Sequence, residues 1–256
     1  MAAYDDLVRC APAFLAIALL AAARPAEARR GGGRRARPTR ATLELAGERV
    51  DVRWIDGDTF RILSGGSRGR SARLAGVNAL ETFGPVHLFG AGTFGPHDLF
   101  EVAKESAALA SAASFGHRCE TAGTPDRYGR LLVSCPDVAE ALVTRGDAMV
   151  FAVAGAPDAA LVALQREAQR MGLGMWTGGA PPRVPTSVHS ADEPDLGPGG
   201  AYDRIADTRT GRTEVVPHAR RYRTCEEVCV GGGADRACML YVPFARRYRN
   251  RPACLR

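Results

Sequence analysis

Lysine is almost absent from this chain. Lys104 is the single lysine among 34 basic residues, set against 28 Asp plus Glu for a formal net charge of +6. An arginine-rich balance has two readings, codon preference or a polyanion partner, because basic surfaces attract phosphate. Long apolar runs are also scarce. The most extended, residues 11–23 (APAFLAIALLAAA), is too short for the roughly 20-residue helix that crosses a bilayer. No other segment comes closer, so a soluble mature chain without a membrane span is expected. No internal repeat is evident, which excludes a solenoid or propeller. Wholesale disorder is excluded by ordinary apolar and charged fractions of 46% and 24%.

The apolar run is followed by small residues ending in Ala26-Glu27-Ala28, an A-x-A cleavage pattern. Residues 1–28 therefore read as a signal peptide, although Asp5 and Asp6 stand where basic residues are usual. Cleavage would remove Cys10 and leave Cys119, Cys135, Cys225, Cys229, Cys238 and Cys254. An even count in an exported chain suggests disulfides. A secreted or periplasmic location is expected.

Residues 29–40 (RRGGGRRARPTR) read as a flexible basic arm. Apolar and polar residues then alternate over 42–52 around Gly47, as in two short strands. Residues 54–63 read as strand, turn, strand, with Gly57 supplying the bend. A loop at 64–70 leads to a strand over 71–77, and further strands are expected at Cys119 and over 131–135. Helical spacing is found over 98–113, 139–145 and 161–171, the last two closed by Gly146 and Gly172. The fold class expected is α+β, mainly β: a five-stranded OB-type barrel with three helices over 41–177. Residues 178–200 hold Pro181, Pro182, Pro185, Pro194 and Pro198 and read as a linker. Residues 201–256 are expected to be a small disulfide-rich unit.

Asp56-Gly57-Asp58 sets two carboxylates about a turn, where oxygen ligands can converge on a hard cation. The same tripeptide also occurs in plain hairpins. Arg73 follows on a strand, Asn78 and Glu81 in the loop beyond it, and Asp126-Arg127-Tyr128-Gly129-Arg130 before the strand ending at Cys135. Two arginines, a metal carboxylate and a free glutamate are the parts needed to attack a phosphodiester. Metal and arginines stabilise the added charge on phosphorus, and the glutamate orients or deprotonates water.

IDGDT, RLAGVNALET, DRYGR, EALVTRG and a helix closing on GMW occur in that order over residues 41–177. In this the chain resembles the thermonuclease (staphylococcal-nuclease-like) domain family. The resemblance implies an OB barrel that cleaves DNA and RNA with a divalent metal, calcium first and magnesium second. It implies Arg73 and Arg130 as the phosphate-gripping arginines and Glu81 as the general base. Asp58 is implied as a metal carboxylate, Ala79 as a backbone-carbonyl ligand and Asp56 as a nearby carboxylate. Tyr128 and Arg127 are implied at the substrate. Asn78 departs from the pattern: it stands where the family has a second metal carboxylate, and its amide brings no charge. The family's base-stacking tyrosines are also missing; residues 150–154 offer Phe151 only. A barrel that kept its fold and lost its chemistry is the alternative.

The loop over 82–96, with His87 in it and His97 just beyond, reads as a rim next to the site. Cys119 and Cys135 flank the DRYGR loop, where a disulfide would tie its base. Cys225, Cys229, Cys238 and Cys254 fit two disulfides or a four-thiolate zinc site, with pairing open. The tail repeats Arg and Tyr at 220–223 and 246–249, a composition suited to single-stranded nucleic acid or to a merely basic surface. Three functions compete: a nuclease, a non-catalytic nucleic-acid-binding module, and an exported disulfide-stapled interaction protein.

Overall fold

A computed structural model describes residues 39–256, apart from 82–86, 90–95, 195, 198, 249 and 256; at 87–89, 96–100 and 248 it describes backbone alone. The expected signal peptide and nearly all of the basic arm lie outside the described residues. Arg37–Arg256 form one compact unit.

The first strand, β1 (Arg40–Leu45), turns at Ala46 and Gly47 into β2 (Glu48–Trp54). Both turn residues have positive φ, 50° and 84°. That is the turn geometry whose twist matches that of antiparallel strands. β3 (Thr59–Ile62) and β4 (Ser71–Leu74) continue the antiparallel meander. The expected strand over 71–77 is broken at Gly76, whose φ of 81° turns the chain out of the sheet into β5 (Gly76–Ala79). Next come β6 (His87–Phe89) and α1 (Pro96–Ser114). The end of α1 is tied to the barrel by Trp54 Nε1, which donates to Ser114 Oγ at 2.9 Å.

β7 (Arg118–Thr121) runs parallel to β1, and β8 (Leu131–Ser134) runs parallel to β4 and antiparallel to β7. The barrel closes in the order β1-β2-β3-β4-β8-β7. It has six strands where five were expected, because the short β7 pairs on both edges and completes the ring. Leu43, Val52, Trp54, Phe60, Ile62 and Leu74 fill it.

α2 (Pro136–Thr144) starts earlier than expected, with Pro136 in the first turn, where its missing N–H costs nothing. β9 (Ala148–Phe151) pairs antiparallel with β5 outside the barrel. α3 (Ala159–Arg170) is capped by the Asp158 carboxylate, which accepts from the N–H groups of Ala160 and Leu161.

The remaining chain does not behave as a linker plus a separate unit. β10 (Arg183–Val188), β11 (Tyr202–Asp207) and β12 (Thr213–Pro217) form an antiparallel sheet. β10 lies at the edge of that sheet, where a proline such as Pro185 is tolerated. Its Val184 is buried in one cluster with Leu80, Met149, Met175, Trp176, Ala206 and Ala237. Residues from both sides of the expected boundary thus share a core. β13 (Glu227–Val230) and β14 (Ala237–Leu240) form a hairpin, and β14 also pairs with β6. A short helix, α4 (Phe244–Tyr248), follows.

Among the described residues three disulfides are present: Cys119–Cys135, Cys225–Cys254 and Cys229–Cys238. The first joins β7 to the start of α2 and closes the base of the DRYGR loop. The other two remove the thiolates that a zinc site needs. Glu227, Cys229 and Cys238 do place ligand atoms within 4.8 Å of one another, but both sulfurs share one disulfide. Three disulfides fit an extracellular or otherwise oxidising compartment. Among the described residues no helix is long and apolar enough to cross a membrane.

Candidate active site

The turn between β2 and β3 is organised by Asp56. Its Oδ1 accepts from the N–H groups of Asp58 (3.1 Å) and Thr59 (2.7 Å). Gly57 is needed for space rather than for the bend, since its φ is not positive. A Cβ there would lie 2.7 Å from Ser106 Oγ on α1 and 2.8 Å from the Ala79 Cβ. The loop is therefore pressed between α1 and β5.

Asp58 is 2% exposed. Its Oδ1 accepts from Arg73 Nη1 at 2.6 Å and from the Thr59 hydroxyl at 2.9 Å; its Oδ2 accepts from the Ala79 N–H at 2.7 Å. Pairing of Thr59 with Arg73 across β3 and β4 delivers the guanidinium to this carboxylate. Arg73 Nη2 donates to Asn78 Oδ1 at 2.8 Å, and Asn78 Nδ2 donates to the Ala79 carbonyl at 3.3 Å. Arg73 thus straps together the two side chains expected as metal ligands.

Charge is concentrated here. Burial pushes the Asp56 carboxyl well above its ordinary value, and the charges of Asp58 and Glu81 add to this. The part-buried Glu81, just past β5, is also raised, first by burial and then by Asp58; Arg73, Arg247 and Arg130 pull it back. Burial works against the charge of Arg73, but Asp58, Glu81 and Asp56 outweigh it and hold the guanidinium above its ordinary pKa.

The DRYGR loop is held by Asp126. Its carboxylate accepts from the N–H groups of Tyr128 (2.9 Å) and Arg130 (3.0 Å) and from Arg130 Nε (2.7 Å). These bonds from Arg130 keep Asp126 below its ordinary pKa despite burial. The parallel pairing of β4 with β8 sets Ala72 opposite Leu131, one residue beyond Arg130. Arg130 and Arg73 therefore both act electrostatically on Glu81.

The structure gathers Asp56, Asp58, Arg73, Asn78, Ala79, Glu81 and Arg130 about one end of the barrel. Tyr128 and Arg127 are exposed on the adjoining loop. Of the expected rim loop, residues 82–86 and 90–95 lie outside the described residues, and His87 and His97 are described by backbone alone. Phe151 is 7% exposed and belongs to the second core, so it offers no face to a base. Arg247 on α4 was not anticipated as a site residue, yet it acts on Glu81 more strongly than Arg130 does. Its only sequence signal was the basic run at 246–249.

The donors suit a hard cation in kind, since they are all oxygens, and the three acids Asp56, Asp58 and Glu81 lie among the guanidiniums of Arg73, Arg130 and Arg247. Among the described residues no three acidic side chains of this site bring oxygens within 4.8 Å of one another. A cation here would rest on one or two carboxylates, with the Asn78 amide oxygen, which also accepts from Arg73, and the Ala79 carbonyl, which also accepts from Asn78, beside them. Water supplies the remaining ligands of magnesium or calcium in such sparse sites. No known family model and no curated protein matches this chain.

Proposed function

We propose that this chain is an exported, metal-dependent phosphodiesterase acting on nucleic acid, with DNA as the first substrate to test and RNA as the second, built on an OB-type barrel of thermonuclease kind. The observation that carries the reading is the convergence of Asp58, Arg73, Asn78 and Ala79 beside Glu81 and Arg130. Asp58, Asp56, Asn78 and the Ala79 carbonyl would hold calcium or magnesium, which supplies positive charge to offset that of the phosphate. Arg73 and Arg130 bind the non-bridging oxygens, where negative charge grows in the transition state. Glu81, raised by burial, accepts a proton from the attacking water more readily than an ordinary carboxylate. The three disulfides and the A-x-A pattern at residues 26–28 support export.

One observation favours a second reading, a non-catalytic nucleic-acid-binding module. Arg73 donates to both Asp58 and Asn78, so a phosphate must compete with two internal acceptors. Incubating the chain with single- and double-stranded DNA and RNA separates the two. Cleavage that needs calcium or magnesium and stops in EDTA is expected. Binding without cleavage under every metal condition would establish the module instead.

A further inference from the structure

Glu105, Ala108, Leu109 and Ala112 recur along α1 at spacings of three and four, so they share one helix face. With Phe115, just past the helix end, they wall a cavity of about 410 Å³. That is the size of a small-molecule site. Arg40 at the start of β1, and Arg145 and Asp147 between α2 and β9, complete the lining. None of these residues is among those gathered at the candidate active site. Asp147 is 6% exposed. Among the described residues no hydrogen bond or ion pair reaches its carboxylate; only the charges of Arg145 and Glu105 act on it. Arg40 and Arg145 are exposed, and among the described residues neither guanidinium has a hydrogen-bond or ion-pair partner. The cavity thus has an unpaired anion in its depth and two unpaired cations at its mouth.

We propose that this cavity binds a free apolar α-amino acid: its ammonium on Asp147, its carboxylate on Arg40 and Arg145, its side chain on Leu109, Ala112 and Phe115. A buried carboxylate without a partner is costly, and an ammonium supplies both the opposite charge and donors. Guanidiniums suit a carboxylate, which they can bind through two parallel hydrogen bonds. The arrangement selects for both charges at once. A ligand with only a cation must pass two exposed guanidiniums to reach Asp147. One with only an anion leaves Asp147 uncompensated. The apolar wall then favours a ligand whose side chain covers it. Burial also links binding to pH. It raises the Asp147 carboxyl to about 6, with Arg145 opposing and Glu105 on α1 adding; Arg40 on β1 is the remaining charge of the lining. An ammonium pairs with the ionised form, so affinity is low below about pH 6 and rises as the proton leaves.

The test is calorimetric titration of the full chain in EDTA, which does not depend on cleavage. The probes are L-phenylalanine, phenethylamine, which lacks the carboxylate, and 3-phenylpropionate, which lacks the ammonium. Phenylalanine should bind about ten-fold or more tighter than either, the size of one charge-assisted hydrogen bond. It should bind about ten-fold tighter at pH 7 than at pH 5, as for one proton lost at about pH 6. Asp147→Asn, nearly the same in shape, should reduce phenylalanine to the affinity of 3-phenylpropionate and remove the pH dependence. Arg145→Gln should narrow the advantage over phenethylamine. Thermal unfolding of both variants checks that they are folded. No binding of phenylalanine at millimolar concentration overturns the assignment, as does binding that Asp147→Asn leaves unchanged. Equal affinity for either analogue overturns it as well. Tighter binding of the dipeptide phenylalanylglycine would replace the free amino acid with peptide ends.

Discussion

The barrel and the segment beyond it are held by different means. The barrel closes on itself through six strands around Leu43, Trp54, Phe60, Ile62 and Leu74, with one disulfide at its edge. The C-terminal sheets enclose a cluster of their own of only Val188, Tyr222, Val228, Met239 and Tyr241. Two of those five carry hydroxyls, and polar bonds hold much of the region: Tyr222 donates to Asp203 at 2.7 Å, and His218 Nε2 lies 3.1 Å from the same carboxylate. Two disulfides lie there, Cys225–Cys254 and Cys229–Cys238. Where little apolar area can be buried, crosslinks take over the stabilising role. The division extends to chemistry: the barrel side holds the groups expected to react, and the segment beyond holds groups that shape their surroundings.

The largest effect should come from the barrel side. Glu81→Gln should lower cleavage by about 10²–10⁴-fold, the usual contribution of a positioned base, with thermal unfolding nearly unchanged. Turnover near wild type in single-turnover assays would remove Glu81 from its role. A structural effect should come from the other side. Cys254→Ser opens the Cys225–Cys254 bridge and should cost about 2–4 kcal/mol, read as faster amide exchange in β13 and β14 before β2 and β3. Uniform loss of protection across both regions would show that they unfold as one.

The barrel unit carries one hidden cost. Burial raises the Asp147 carboxyl from 3.8 to about 6, with Glu105 adding to it and Arg145 opposing. The folded state then holds this proton more tightly than the unfolded chain. Stability from this group is greatest below about pH 4, falls as pH rises, and is lost above about 6. Asp147→Asn should flatten that slope and stabilise the protein by roughly 2–3 kcal/mol at pH 8, measured by urea unfolding. An unchanged slope would show that the carboxyl is solvated. The smallest effect tests the place where the tail reaches the chemistry. Arg247→Ala should raise KM for single-stranded DNA by about three- to ten-fold and reduce the salt slope of binding by about 0.7, as for one lost phosphate contact. No change in either would confine Arg247 to α4.

The residues expected at the site lie in short motifs whose spacing strands and turns impose, which is why their meeting in space could be read. Asp58, Arg73 and Asn78 meet because adjacent strands and the turn at Gly76 leave few arrangements. The hairpin at Ala46 and Gly47 was readable for the same reason. The role of Gly57 was not, because the crowding comes from Ser106, far along the chain. β10 was hidden by Pro185, whose tolerance depends on being at a sheet edge, a property fixed only once β11 is in place. Pairing among the four C-terminal cysteines had three solutions by counting; the register that sets Cys229 opposite Cys238 accounts for one bridge. Arg247 lies only in the basic run at 246–249. It reaches Glu81 through the tertiary fold, which no local spacing encodes.

The pairing of β6 with β14 has a consequence for how the molecule is made. Met239 lies opposite His87, about 150 residues away along the chain, a contact of high order that must wait for nearly the whole polypeptide. The six barrel strands, all within residues 40–134, can find one another much earlier. A chain emerging N-terminus first would thus hold a closed barrel whose β6 still lacks its partner. Maturation then ends with a late annealing of the last residues onto the β6 edge, and chains truncated before β14 would expose that edge to one another.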